Sequence, residues 1–406
     1  MRKATVITTG SEIVEGLIIN SNAQHICRRL TDMGVSVARS ISVGDDLESI
    51  EKAICEAFED STVIIVSGGL GPTKDDLTRE AVARSLNRKL LFDPALENRI
   101  KEKISKFHKT PASTRKQAMV IENAELIENP VGTAPGQLIR DGDVILILLP
   151  GPPQEMKPML ESVLSKLSDK RDCSINMLFF GISEASLDEL VQKLPTPKWL
   201  KVATQATHTE GVKLRLHSPS EYSAELKKFS EQIITKISEH FVGFDNATLE
   251  EAVVRGLEAS RLTVSSAESC TGGLLAAKIV SVPGASKVFK GAVVAYDNSV
   301  KTNILKVREQ TIEQHGAVSE ECVFEMAKKV RNMINSDLSV AISGIAGPSG
   351  GSESKPVGLA FICLWDGKKS YIKRMFYPQE RNMFRSRVAS TAMDMLRRYI
   401  FKLPVI

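Results

Sequence analysis

The chain has 406 residues, too many for one ordinary hydrophobic core, so two or three domains are expected. Apolar residues make up 42% and charged residues 25%, the usual balance of a soluble globular protein. A net charge of +4 is small for this length and leaves no electrostatic footprint for nucleic acid or an acidic membrane.

The opening MRKATVITTGSE starts a strand almost at once and lacks the long apolar core of a signal peptide. No run approaches the roughly 18 apolar residues of a membrane span; the nearest, Val144 to Leu149, stops at Pro150. The six cysteines are scattered singly, without a C-x-x-C pair. This argues against a disulfide framework or a structural zinc site and for a reducing, cytoplasmic setting.

Strand and helix signals alternate over the first 165 or so residues. Ala4–Thr8 is β-rich, and a helix pattern over Ser21–Met33 ends at Gly34. Ser36–Val43 reads as a strand, after which Asp45 or Asp46 can cap a helix running to Phe58. Thr62–Val66 and Val144–Leu149 are short apolar runs, as buried parallel strands tend to be. Such alternation predicts an α/β fold with a largely parallel sheet, in which ligands bind beyond the C-terminal strand ends. Three of these strands empty into unusual loops: Thr9-Gly10-Ser11-Glu12, Ser67 to Thr73, and Pro150 to Pro153. All three are expected on one rim.

Between Gly181 and Gly243 glycine nearly vanishes, with Gly211 the one exception. Helices over Ser186–Lys193 and Tyr222–His240, with a strand over Val212–His217, predict a small α+β module. A second α/β unit starts near Thr248. Its strands are expected at Leu262–Ala267, Gly291–Tyr296, Leu338–Ser343 and Gly358–Leu364, and its helices at Thr271–Ser281, at Ser319–Ile334 and from about Arg381.

GGLGPTKDDLT, Gly68 to Thr78, joins a glycine-rich turn to paired acids before a helix. Glycines let backbone N–H groups approach an anion, and a helix N-terminus favours negative charge. Asp75 and Asp76 could hold a hard cation bridging to a phosphate; equally, either could simply cap the helix. Glu12, NPVGTAPG (Asn129 to Gly136) and LPGPPQEM (Leu149 to Met156) add further rigid loops suited to a preformed site.

TGSEIVEG, NSNA, GGLGPTKDDLT, KQA, NPVGTAPG and PGPPQEM follow one another over about residues 1–165. In this order they resemble the molybdopterin-binding-like domain that opens proteins of the CinA family. The resemblance implies a metal-dependent ADP-ribose pyrophosphatase giving AMP and ribose 5-phosphate. Asp75 and Asp76 would hold a divalent ion of the Mg, Mn or Co type, and Glu12 would share in metal or water handling. Thr9, Gly10, Glu12, Asn22, Gly68, Gly69, Lys116, Asn129 and Thr133 would bind ADP-ribose. A diphosphate does need charge neutralisation and an oriented water.

AESCTGG, Ala267 to Gly273, lies where a strand meets a helix, so a nucleophile there is exposed by a sharp turn and helix N–H groups can face an oxyanion. Ser269 and Cys270 are both candidates. Cysteine is the better intrinsic nucleophile but needs activation, and the only histidine of this domain is His315. Lys301, in YDNSVK, is the alternative base, given a pKa lowered by burial or a neighbouring cation. Read blandly, Ser269 and Thr271 cap a helix and Lys301 is solvated. SGIAGPSGGSESKPVG, Ser343 to Gly358, is a second glycine-rich loop able to wrap a nucleotide. Arg381 and Arg385, four apart on one helix face, either fork onto a phosphate or form a solvated basic face.

AESCTGG, VPGAS, AYDNSVK, HGAVSEE, SGIAGP and KPVG run in order over about residues 246–405. They resemble the C-terminal domain of the same family, which also exists alone as a nicotinamide mononucleotide deamidase. The resemblance makes Ser269 the nucleophile and Lys301 its base. Thr271, Gly272, Gly273, Tyr296, Ser343, Gly344, Arg381 and Arg385 would contact the mononucleotide, with no cofactor. The implied domains are 1–168, a KH-like α+β module over 169–244, and 245–406, and the implied assembly is a homodimer that recycles pyridine nucleotides. Two rival readings are a competence- or DNA-damage-related nucleic-acid protein and a molybdenum-cofactor binder. The first lacks the G-x-x-G loop of a working KH module between 170 and 243. The second leaves the C-terminal half unexplained.

Overall fold

The computed structural model describes residues 2–105, 114–164, 173–207 and 209–405. The chain divides into two compact units, Met1–Cys173 with Pro219–Ser223, and Ser174–Ser218 with Ala224–Ile406. Where three domains are expected from the sequence, the middle segment shares a unit with the C-terminal one. The first expected boundary, 168/169, lies outside the described residues.

The first unit runs β1 (Lys3–Thr9), α1 (Ser11–Val14), α2 (Ser21–Asp32), β2 (Ser36–Val43), α3 (Leu47–Phe58), β3 (Val63–Ser67) and α4 (Thr78–Ser85). It continues with β4 (Leu90–Phe92), α5 (Pro94–Ser105), α6 (Thr114–Gln117), β5 (Met119–Ile121), β6 (Glu125–Ile127), β7 (Gly136–Asp141), β8 (Val144–Leu149) and α7 (Pro153–Leu164). Its six-stranded sheet has the order β2-β1-β3-β8-β7-β6, and β4 pairs with β5 separately. The four strands β2, β1, β3 and β8 are mutually parallel. The two further strands, β7 and β6, are antiparallel additions that the sequence patterning did not reveal.

Apolar alternation explains the layering. Val63, Ile65, Ile145 and Ile147 pack on one face with α2 and α7, and Ile64, Val66, Leu146 and Leu148 on the other with α3 and α4. A strand buried on both faces needs side chains that are apolar at every position. Helix starts follow local chemistry: Asn20 accepts from Ala23 N, and Asp46 accepts from Ser49 N. Asp46 is therefore the cap of α3, while Asp45 accepts from Ser11 N at 2.8 Å and ties down the first rim loop.

The second unit begins with β9 (Cys173–Phe179), α8 (Glu184–Gln192), β10 (Lys201–Thr207), β11 (Gly211–Ser218), α9 (Ser223–Lys236) and β12 (Phe241–Phe244). These strands form a sheet of order β10-β11-β9-β12. There follow α10 (Leu249–Ser260), β13 (Val264–Glu268), α11 (Leu274–Val280), β14 (Phe289–Val294), α12 (Asn298–Asn303), α13 (Glu309–His315), α14 (Glu320–Ile334), β15 (Leu338–Gly344), β16 (Leu359–Trp365), β17 (Ser370–Phe376) and α15 (Arg381–Ile400). The five-stranded sheet β14-β13-β15-β16-β17 is parallel across β14, β13 and β15 and antiparallel beyond. Helices α10, α11 and α15 bury one face, and α14 the other. Among the described residues no helix is long and apolar enough to cross a membrane.

Arg397 of α15 shows why the middle sheet belongs to this unit. It is 2% exposed, pairs with Asp394 at 2.6 Å, and donates to the carbonyls of Glu239 and Phe241 at 2.6 and 2.9 Å. Asp394 also holds Arg398 at 2.8 Å. Removing one partner of a buried ion pair strands the rest, at a cost of about 3–5 kcal/mol. Arg397→Met is therefore expected to lower the unfolding free energy of this unit by about that amount. Urea unfolding followed by far-UV circular dichroism checks it; a loss under about 1 kcal/mol would show that water replaces the guanidinium freely.

Candidate functional site

In the first unit the C-terminal ends of β1, β3 and β8 open on a cavity of 420 Å³. Thr9, Gly10 and Glu12 line it from the first loop, Gly68 to Pro72 with Asp75 and Asp76 from the second, and Pro150 to Pro152 from the third. Thr133 and Ala134 complete the wall, so all the expected rim loops do converge. Asp45, Gln117 and Glu155 also line the cavity and were not singled out from the sequence.

The GGLGPT loop is held by side chains acting on its backbone. Asp76 accepts from Gly71 N at 2.8 Å, from Thr73 N at 2.7 Å and from the Thr73 hydroxyl at 2.5 Å. Arg79, fully buried, donates to the carbonyls of Leu70 and Gly71 at 2.9 and 3.0 Å. Lys116 donates to Thr73 O at 2.8 Å. Gly68 adopts φ +115, and a Cβ there would come within 2.5 Å of Thr9 O, so only glycine permits this approach of two loops.

These contacts show how the residues expected at this site are held. Asp76 has both oxygens committed to the loop, which makes it an organiser of the turn, while Asp75 is exposed at the cavity. Lys116 does not line the cavity; its ammonium is spent on the loop carbonyl. Asn129 bonds Ala134 O, Glu155, Val131 N and Gly132 N, and so folds the NPVGTAPG loop from within. Asn22 likewise lies off the lining and ties Ser67 to Gly151 O. Among the described residues no three metal-ligating side chains are grouped to hold an ion by themselves.

In the second unit the motifs again meet beyond parallel strand ends. Ser269 follows the central β13; its N–H donates to Ile342 O of β15 at 2.9 Å, and Ala295 N, following β14, donates to Glu268 O at 2.7 Å. Ser269 is 8% exposed and Cys270 4%. Burial pushes the Cys270 thiol up to about 12, against the opposing pull of its own and Thr271's backbone N–H. That thiol stays protonated at neutral pH and is no thiolate nucleophile. Lys301 is 1% exposed, and desolvation lowers its pKa while the nearby Cys322, Asp297 and Cys270 oppose this. Its Nζ donates to Tyr296 O at 3.1 Å, so it is anchored in the interior and is no solvated surface lysine.

Arg381 brings two motifs together, donating to Gly347 O at 2.7 Å and to the Tyr296 hydroxyl at 3.0 Å. Ser343 donates to Ala317 O at 2.7 Å, which fastens the HGAVSEE loop and leaves its hydroxyl committed. Gly344 packs where a Cβ would meet Cys270 Sγ at 3.0 Å.

The expected helix from Thr271 is corrected to a start at Leu274. Gly272 and Gly273 take φ of +60 and +91 and extend the turn first. Thr271, fully buried, does not cap that helix, and its hydroxyl has no partner among the described residues. The helix N–H groups expected to face an oxyanion are occupied: Leu275 N and Ala276 N donate to the fully buried carboxylate of Glu268 at 3.0 and 2.9 Å. Glu268 escaped the sequence reading, although an acid closing an otherwise buried strand was a visible signal. Arg385 donates to the carbonyls of Cys270 and Thr271 instead of standing free for a phosphate.

Glycine-rich turns at the ends of parallel strands, in two separate sheets, define an α/β protein of two units. Residues 5–169 match the model of the probable molybdopterin binding domain, and residues 246–400 that of the CinA C-terminal domain. A CinA-like protein of Pseudothermotoga lettingae is 51% identical over 392 residues, covering 96% of this chain and 97% of that one. The CinA-like protein of Thermotoga maritima is 45% identical over 403 residues, 98% of each. Among solved structures, the CinA protein of Thermoplasma acidophilum is 38% identical and covers 41% of this chain and 98% of its own, with a TM-score of 0.39. The chain belongs to the CinA family.

The two neighbouring acids of the first cavity should part company in stability. Asp76→Ala removes the acceptor of two backbone N–H groups and should cost about 1–3 kcal/mol, whereas exposed Asp75→Ala should stay within about 0.5 kcal/mol. Urea midpoints of the two variants measure this, and equal losses would contradict the loop-organising role.

Proposed function

We propose that the chain is a two-headed nucleotide hydrolase: a nicotinamide mononucleotide amidase in the second unit and a metal-dependent ADP-ribose pyrophosphatase in the first. The observation that carries the amidase reading is the contrast between Lys301 of α12, buried with a lowered pKa, and the nearby Cys270 thiol, raised to about 12. That contrast supports Ser269 with Lys301, over Cys270, as the nucleophilic pair.

Neutral Lys301 takes the proton as Ser269 Oγ attacks the carboxamide carbon, and returns it to nitrogen as ammonia departs. Water then hydrolyses the acyl ester, with Lys301 taking its proton, to leave the carboxylate and free serine. Arg381 and Tyr296 present a cation and a hydroxyl at the edge of this site, suited to a phosphate and ribose.

For the first unit, the arrangement fits a cation that binds through one or two carboxylates together with a diphosphate, and does not fit a three-carboxylate cage. Asp75 and Glu12 would hold it, and the ion would supply charge neutralisation of the diphosphate. The Gly68-Gly69 backbone and Thr9 face the cavity from the loop that Asp76 and Arg79 hold rigid.

Ammonia release from nicotinamide mononucleotide tests the first activity. Ser269→Ala and Lys301→Ala should each lose several orders of magnitude, the double variant scarcely more, and Cys270→Ala little. An active, folded Ser269→Ala protein beside a dead Cys270→Ala protein would overturn the assignment. Because burial lowers the Lys301 pKa, the neutral base forms at lower pH than in an ordinary lysine, so kcat/KM should rise with pH and level off below 10.5. A profile still climbing at 10.5 would remove Lys301 from the role. Separately, ADP-ribose cleavage should stop with chelator and in Asp75→Ala, with deamidation unchanged; chelator-resistant cleavage would exclude the metal.

A further inference from the structure

The turn that carries Ser269 is intrinsically loose. Two consecutive left-handed glycines, Gly272 and Gly273, separate it from α11, and glycine constrains the backbone least of all residues. Two charged side chains restrain it from different sides. Glu268 accepts from Leu275 N, Ala276 N and the Ser266 hydroxyl, which pins the start of α11 to the end of β13. Arg385 reaches in from α15, its Nε 3.2 Å from Cys270 O and its Nη2 2.9 Å from Thr271 O. A Cβ at Gly272 would lie 3.5 Å from that same Nη2, an ordinary contact, so it is the left-handed φ of +60 that favours glycine there.

In a planar peptide the carbonyl and the following N–H point in opposite directions. Holding Cys270 O therefore also fixes where the Thr271 N–H points, while the Gly272 N–H closes the turn on Ser269 O at 3.0 Å. Preorganised backbone dipoles of this kind act on the rate of the chemical step, where charge develops on the carbonyl oxygen. The Nε–Nη2 edge of Arg385, the one that forks side-on, is spent on these two carbonyls, and its Nη1 lies 3.4 Å from Asn382 Oδ1.

We infer that Arg385, with Glu268, is a positioning residue that fixes the Ser269–Gly273 turn for acyl transfer, and that it is not the ligand of the substrate phosphate. The inference rests on the amidase reading of Ser269 and Lys301 given above.

The test separates kcat from KM in the full-length protein, with both nicotinamide mononucleotide and its phosphate-free riboside as substrates. Arg385→Ala should lower kcat by about 100-fold with KM little changed, the penalty of a reacting group misplaced by about 1 Å. The factor should be the same for both substrates. Arg385→Lys, with one point charge in place of a fork, should recover part of the loss, and added guanidinium ion should partly rescue Arg385→Ala. Glu268→Gln, which keeps the shape but loses one acceptor, should also fall in kcat. Independently of turnover, amide hydrogen exchange at residues 270–274 should quicken in Arg385→Ala and not in Arg381→Ala.

A KM raised tenfold or more for the mononucleotide alone, at unchanged kcat and unchanged exchange, would make Arg385 a phosphate ligand and overturn the proposal. If Arg385→Ala does not fold, the lysine variant's kcat and KM decide by the same criteria. A fully active Ser269→Ala protein, or wild type that releases no ammonia, sinks the amidase reading and this inference with it. The exchange result then still reports whether Arg385 holds the turn.

Discussion

Peptide groups in the turns leaving a parallel sheet have neither a ladder nor a helix to satisfy them, and in both units charged side chains do it instead. Asp76 takes two N–H groups of the GGLGPT loop, while Arg79 and Lys116 take three of its carbonyls at Leu70, Gly71 and Thr73. Around Ser269, Glu268 takes two N–H groups and Arg385 two carbonyls. A buried peptide group left unpaired costs about 1–3 kcal/mol, so loops this rich in glycine hold one shape only because these contacts exist. The cavities that follow from those shapes are consequences of the bracing.

The same economy explains why several polar residues of the motifs act on the loop backbone. A residue that organises a binding loop is as tightly bound to the motif as one that touches substrate, because either change ruins the site. Lys116, Asn129, Asp76 and Arg385 are of the first kind in this structure. Asp75, Glu12, Arg381 and Tyr296 keep groups directed to a cavity or an open edge. Motif order alone cannot sort the two kinds, since both occupy the same few positions along the chain.

Burial then tunes the chemistry of the second unit. Lys301 and Cys270 lie within reach of each other's charge, and the same low-polarity surroundings move them in opposite directions. Desolvation disfavours whichever form is charged: it favours neutral amine for the lysine and neutral thiol for the cysteine. One environment thus favours the neutral form of both groups, the combination that the proposed Ser269–Lys301 pair requires.

Much of this was legible in the residues themselves. Val63–Val66 and Val144–Leu149 are apolar throughout because β3 and β8 are covered on both faces, and that pattern is local. The rim loops followed from parallel strands, whose C-terminal ends must lie on one side. Short antiparallel additions such as β6, β7 and β17 carry no distinctive period, since their place is set by the neighbours they pair with. The start of α11 moved from Thr271 to Leu274 because the left-handed glycines and the Glu268 carboxylate, a tertiary contact, outweigh a local capping signal. Likewise the sequence determined that Arg385 shares a helix with Arg381, but only packing of α15 against the Ser269–Gly273 turn decided which carbonyls it would meet. Spacing along a chain specifies which residues can lie on one face; the partner on that face is a property of the fold, because it comes from another part of the chain.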